Sequence, residues 1–172
     1  HLDAAEQAAR YVAGGAAAIS VLTEPSRFGG SLADLADVAA SVEAPVIRKD
    51  FLVSPVQLWE ARAAGASAVL LIVRALEPPR FRDLLGHARD IGLDVLVEVR
   101  DEEELATALS ADASIIGVNN RNLETLVIDP MTAMRLIPSV PPAIIAVAES
   151  GMRETADVEA VARAGADAVL VG

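Results

Sequence analysis

Three segments of the chain are near copies of one another: GGAAAISVL at 14–22, AGASAVLLI at 64–72 and AGADAVLVG at 164–172. Each reads as the end of a helix, a glycine, a small residue and a short run of branched apolar residues. Gly15, Gly65 and Gly165 stand where a helix C-terminus needs a residue that accepts positive φ. Their spacing is 50 residues and then 100. ADASIIGV at 111–118 falls near the middle of the longer gap, a weaker copy without the glycine. A fixed period of this kind marks repeated structural units. Two βα units of about 25 residues each fill one period, as a (β/α) barrel requires.

Alternate strands fall between these copies: PVIRKDF (45–51), DVLVEVR (94–100) and AIIAVAESG (143–151). In all, strands are expected at 17–22, 45–49, 68–73, 94–99, 115–119, 143–148 and 168–171. Helical patterns separate them, at 77–91, 130–137 and 154–164, with another at 3–13 ahead of the first strand. Ser31 with Asp34, Ser54-Pro55 with Gln57, and Asp101 with Glu104 are helix-start signals for the remaining three. Strands alternating with helices imply a parallel sheet with right-handed crossovers. An open doubly wound sheet usually has five or six strands and a closed barrel has eight. Seven strands favour an incomplete (β/α)8 TIM barrel, strands 2–8 of the eight. The reading is one α/β domain over 1–172, with a first strand expected before residue 1 and a last helix after Gly172.

Hydrophobic residues make up 53% of the chain and mean hydropathy is +0.41. The apolar runs, such as 68–73, are too short to cross a bilayer, so they belong in a core of strands buried on both faces. The net charge of −11 argues against a nucleic-acid partner, which needs a basic footprint. With no cysteine and only His1 and His87, a thiolate or imidazole metal site is not expected. His1 reads as an added residue. No signal peptide opens the sequence, which fits a cytoplasmic protein.

In parallel α/β architectures ligands sit at the carboxyl ends of the strands. Polar residues there are candidates, because elsewhere along a buried strand they are costly. Lys49 follows Val46 and Ile47 where a strand meets that end. It is either a solvated or ion-paired loop lysine or a proton donor among apolar neighbours. Glu98 lies inside the run Leu96, Val97, Val99 and is either a core ion pair or a site residue; pairing with Lys49 fits both. Glu149 ends another apolar run. Ser150-Gly151 behind it form either an ordinary turn or half of a phosphate site with backbone N–H groups near an anion. In GVNNRN (117–122), Asn119 is nearest the strand and could hydrogen-bond a substrate hydroxyl. Arg121 could bind a carboxylate or lock its loop through Glu124 or Asp129. Phe28 and Phe51 follow neighbouring strands and could line an aromatic pocket, whereas Trp59 and His87 read as outer helix residues. There is no dinucleotide fingerprint, P-loop or Ser-His-Asp set, so the expected chemistry is acid–base and cofactor-free.

SVLTEPSRFGGSLADL, PVIRKDF followed by SPVQLWEARAAGASAVLLIV, LVEVRDEEEL, IIGVNNRNLET and VAESG, in this order from about Ala16 to Gly172, resemble the indole-3-glycerol-phosphate synthase family. That family is a (β/α)8 barrel of tryptophan biosynthesis. It closes the indole ring of 1-(2-carboxyphenylamino)-1-deoxyribulose 5-phosphate with loss of CO2 and water. The resemblance implies that Lys49 is the general acid and Glu98 an acid–base partner. It implies that Asn119 and Glu149 hold substrate, with Arg121 nearby, and that Ser150 and Gly151 are part of the phosphate site. Phe28 and Phe51 would line the pocket for the anthranilate ring, and Gly172 opens the Gly-Ser step after the last strand. It further implies a phosphorylated small-molecule substrate, no metal or cofactor, and a monomer that is free-standing or joined to neighbouring pathway enzymes. The family's first-strand Glu-x-Lys pair and Ser-rich loop are absent from this sequence. Impaired turnover is therefore expected of this exact polypeptide. The competing readings are another phosphate-binding barrel enzyme of aromatic or histidine biosynthesis, a receiver-like module phosphorylated on Asp50, and a non-catalytic barrel fragment.

Overall fold

The computed structural model describes residues 3–172; the reading of His1 falls outside them. Helix and strand alternate as α1 (Ala4–Ala13), β1 (Ile19–Leu22), α2 (Pro25–Phe28), α3 (Leu32–Ser41), β2 (Val46–Lys49), α4 (Pro55–Ala63) and β3 (Ala68–Ile72). They continue as α5 (Pro78–Asp90), β4 (Asp94–Val99), α6 (Glu102–Ser110), β5 (Ile115–Asn119), α7 (Met131–Leu136), β6 (Ile145–Glu149), α8 (Thr155–Arg163) and β7 (Ala168–Leu170). All seven expected strands are present. β6 starts two residues later than expected, because Pro141 and Pro142 precede a turn in which Ile144 N–H bonds the Pro141 carbonyl at 2.9 Å. The four-residue α2 and the 3-10 turn Val73–Ala75 have no counterpart in the sequence reading.

The chain forms two compact units, one running to Leu71 and resuming over Pro79–Val95, the other taking Ile72–Pro78 and Leu96–Gly172. In the first unit β1, β2 and β3 lie side by side and parallel, with Leu22 beside Lys49 and Arg48 beside Val69. In the second, β4 to β7 are likewise parallel neighbours in chain order. A doubly wound sheet reverses its strand order at one point; neither unit contains such a reversal.

Helices cover one face of the strands in each unit. In the first, α5 buries Phe81, Leu84, Leu85 and Ala88, the i, i+3, i+4, i+7 stripe of an amphipathic helix. Burying Phe81 completely is worth about 1.5–3 kcal/mol. α3 buries Leu35 and Val38 and packs on β1 and β2. In the second, α7 packs on β5 through its buried Ala133 and Leu136.

The repeats end their helices alike. Ala16, Ala66 and Ala166 each donate to a carbonyl five residues back, all at 3.0 Å. Gly15, Gly65 and Gly165 turn the chain with φ of 95°, 89° and 107°, which is the expected C-cap. The glycine-free copy makes the same turn: Ala113 N–H bonds the Ala108 carbonyl at 3.2 Å while Asp112 takes φ 57°.

Candidate functional site

In the first unit, the charges of PVIRKDF separate by strand alternation. Val46 and Arg48 are buried and share the helix-facing side of β2. Arg48 is only 4% exposed. Its Nη1 donates to the Gln57 carbonyl on α4 at 2.6 Å and to Glu60 Oε2 at 3.2 Å. Its Nε donates to Thr23 Oγ1 at 3.0 Å and its Nη2 to Asp50 Oδ2 at 3.1 Å. The Thr23 hydroxyl donates in turn to the same Asp50 oxygen at 2.6 Å. Phe51 N–H donates to Asp50 Oδ1 at 2.8 Å. Arg48 and Asp50 are therefore a closed structural network. Both Asp50 oxygens are engaged, which leaves a receiver-like phosphorylation at Asp50 without support.

Lys49 points to the opposite face of β2, with Ile47, and is half-buried. Phe28 and Phe51 follow β1 and β2 and are 54% and 40% exposed, so neither is a core residue. Phe28 ends α2, which Glu24 organises by accepting from the N–H groups of Ser26 (3.0 Å), Arg27 (2.6 Å) and Phe28 (3.3 Å). The Ser26 hydroxyl also donates to Glu24. That hydroxyl first, then the Arg27 N–H, hold the Glu24 carboxyl below the usual carboxylate range. Phe51 is tied down by Gln57, whose Nε2 donates to the Phe51 carbonyl at 3.2 Å while its Oε1 accepts from Val53 and Ser54.

In the second unit, Glu98 lies one residue from the end of β4, and Asn119 and Glu149 end β5 and β6. Glu98 pairs in register with Gly117, and Asn119 with Glu149. Register and two-residue alternation put all three side chains on one face of the strands. All three are buried; Glu149 is 1% exposed. Asn119 Oδ1 accepts from Arg121 N–H at 2.9 Å, which leaves its amide NH2 as the group to offer a ligand. Ser150 and Gly151 both adopt left-handed backbone, φ 63° and 85°. Such a conformation is uncommon for serine and clusters at functional sites. α8 follows only at Thr155. Asp157 accepts from the N–H groups of Arg153 (2.8 Å) and Glu154 (3.1 Å), bonds that hold its carboxyl below the usual range. Gly172 lies exposed beyond β7.

Arg121 turns into its own loop. Its guanidinium reaches the Leu126 carbonyl at 3.4 Å, and its backbone bridges Ile128. Glu124 instead meets Arg74 at 3.4 Å, and Asp129 accepts from Met131 N–H at 3.0 Å. Arg74 also pairs with Glu104 at 2.8 Å and Asp101 at 3.4 Å. Burial, and then Asp101, push the Glu104 carboxyl up, outweighing what Arg74 gives back. For Arg74 burial acts downward, but its carboxylate partners prevail and raise it.

The residue that sequence reasoning passed over is Asn120, 1% exposed. Its Nδ2 donates to the Ser150 carbonyl at 3.0 Å and its Oδ1 accepts from Ala133 N–H at 2.8 Å. Its backbone N–H bonds the Glu149 carbonyl at 3.0 Å. It fixes the ends of β5 and β6 to each other and to α7. Three asparagines in six residues were the only signal, and loop chemistry explains them equally well. Among the described residues no His, Asp or Glu cluster is arranged to hold a metal, and no helix is long and apolar enough to cross a membrane.

The family model described as indole-3-glycerol phosphate synthase matches residues 1–172. Indole-3-glycerol phosphate synthase 1 of Streptomyces coelicolor is 59% identical over 170 residues, which are 99% of this chain and 63% of that relative. The synthase of Kineococcus radiotolerans is 55% identical over 99% of this chain and 62% of its own. That of Mycolicibacterium gilvum is 56% identical over the same shares. The chain thus spans less than two thirds of the length of these relatives. Among solved structures, an N-acetylmannosamine-6-phosphate 2-epimerase from Clostridium perfringens matches with a TM-score of 0.73. The match covers 96% of this chain and 76% of that one at 14% identity, a likeness of fold alone. The fold class is α/β, of the (β/α)8 TIM-barrel kind, with seven of its strands in this chain.

Proposed function

We propose that this chain, which belongs to the indole-3-glycerol phosphate synthase family, carries part of the machinery that closes the indole ring of 1-(2-carboxyphenylamino)-1-deoxyribulose 5-phosphate. The observation that carries the reading is the face shared by Glu98, Asn119 and Glu149, polar and buried at the ends of three adjacent parallel strands. Burying a carboxylate costs desolvation free energy, and in parallel α/β folds ligands sit at the carboxyl ends of the strands.

In this reading the ring carbon that bears the carboxylate attacks the ribulose carbonyl carbon. The Lys49 ammonium donates its proton to the carbonyl oxygen as the bond forms. The carboxylate then leaves as CO2, its bonding pair restoring the aromatic ring, and the new hydroxyl departs as water with Glu98 as acid–base partner. Asn119 and Glu149 orient the sugar hydroxyls. The Ser150-Gly151 turn, with Gly172, belongs to the phosphate site, and Arg121 stands nearby. Phe28 and Phe51 flank the anthranilate ring. No cofactor takes part. The reading treats 1–172 as one domain of the barrel type, acting as a monomer in the cytoplasm.

The test uses the whole protein that contains this chain. It is expected to convert the substrate into indole-3-glycerol phosphate with one CO2 per turnover, followed by mass spectrometry. Replacing Lys49 by Ala should lower kcat by about 10²–10⁴, the usual share of a general acid. Product formation by the Lys49→Ala protein within a few fold of the unaltered one would remove Lys49 from the mechanism.

A further inference from the structure

Gly117 sits in the middle of β5, in a strand buried along nearly its whole length. A glycine there weakens the strand through its extra backbone freedom and its missing packing. Its backbone does not require glycine, because its φ is not among the positive ones. Space is the reason. A Cβ built on Gly117 would lie 2.0 Å from Glu149 Oε1, 3.1 Å from Glu149 Cδ and 3.2 Å from Leu96 Cδ1. Glu149 is beside Asn119 in register, so its side chain leans back along β6 until its carboxyl rests on the bare backbone of Gly117. Gly117 is also the register partner of Glu98 on the other side.

We infer that Gly117 is a positioning residue: its missing side chain is the seat that holds the Glu149 carboxyl flat against β5, in the row shared with Glu98. The inference rests on the role proposed above for Glu149. With any side chain at 117 the carboxyl would have to retreat by at least about one ångström to reach an ordinary contact, and a displacement of that size costs up to about 10²-fold in rate.

The experiment is a cycle in the whole enzyme with Gly117→Ala, Glu149→Asp and the two combined, reading kcat, KM and melting temperature. Gly117→Ala should lower kcat by about 10- to 100-fold with KM changed by less than about threefold. Glu149→Asp shortens the side chain by one methylene. Alone it should lower kcat; added to Gly117→Ala it should raise kcat above that of Gly117→Ala. Losses that simply multiply, or a Gly117→Ala enzyme with unaltered kcat, overturn the inference. If Gly117→Ala does not fold, Gly117→Ala combined with Glu149→Ala must fold, since the closest colliding group is gone and only the Leu96 Cδ1 contact at 3.2 Å is left, at the far end of a side chain that can give by a few tenths of an ångström. Failure of that pair to fold also overturns it. An unaltered protein that makes no indole-3-glycerol phosphate would count against the proposed function instead. The seat would then be judged by melting temperature alone: Gly117→Ala should lower it clearly in the unaltered background, and much less or not at all in the Glu149→Ala background; equal losses in the two backgrounds overturn the inference.

Discussion

The end of β2 and the ends of β5 and β6 both bury polar side chains, but they satisfy them differently. At β2 the charges neutralise each other: Arg48, Asp50 and Thr23 close a network whose outer members are the Gln57 carbonyl and Glu60. At β5 and β6 neutral amides do the joining. Asn120 bonds backbone groups of Ser150 and Ala133, and Asn119 caps its own turn. The charged network faces the helices, and Lys49 lies with Ile47 on the other face of β2. The amide network leaves Glu149 on the face it shares with Glu98 and Asn119. In both regions the group proposed to meet the substrate is next in sequence to the group that builds the loop.

Adjacent residues of β2 should therefore fail in opposite ways. Arg48→Met removes the partner of an Asp50 carboxyl that is itself 10% exposed. Breaking a buried pair from one side costs about 3–5 kcal/mol, to be read from denaturant unfolding. Lys49→Met removes a half-buried lysine and should cost less than about 1 kcal/mol while lowering kcat by about 10²–10⁴. Equal stability losses at the two positions would break the comparison, because Arg48 and Lys49 would then share one structural task.

The amide side predicts a smaller loss. Asn120→Ala strands the buried Ala133 N–H and the half-buried Ser150 carbonyl. Each orphaned group costs about 1–3 kcal/mol, partly recovered if the loop relaxes, so the expected destabilisation is about 2 kcal/mol. Because Asn120 holds the Ser150 turn, KM for the phosphorylated substrate should rise as well. A loss of stability with KM unchanged would separate that turn from phosphate binding.

These two regions also mark what could be read from the sequence. The Gly-small-branched segments marked four of the seven strands and the apolar runs between them the other three, since a helix C-cap and a buried parallel strand each leave a local pattern. Glu98 and Glu149 were legible because a carboxylate in an apolar run is costly and rare. The division of labour within RKD was not read, although the alternation of Val46, Ile47, Arg48 and Lys49 contained it: one face of β2 meets α4 and the other does not. Asn120 was illegible for a different reason. Its partners are backbone groups 13 and 30 residues away, and a backbone partner leaves no mark in side-chain identity. Asp112 shows the same limit from the other direction, filling a glycine's place in the repeat with φ 57°.

The smallest expected effect tests whether the second unit also contains a charged network of the β2 kind. Arg74 meets Asp101, Glu104 and Glu124, yet burial and Asp101 leave the Glu104 carboxyl raised. A raised acid binds more protons in the folded state than in the unfolded one between the two pKa values, so stability falls as pH rises through that window. The window opens at the ordinary glutamate value of 4.5 and extends upward. Thermal melts of the unaltered protein and Glu104→Gln, taken in steps from pH 4 to 7, should differ in slope. The glutamine variant should lose less stability across the window, because it has no proton to give up. If the unaltered protein instead gains stability relative to Glu104→Gln as pH rises, the ion pair with Arg74 dominates burial, and the cluster is a stabilising network like that of Arg48.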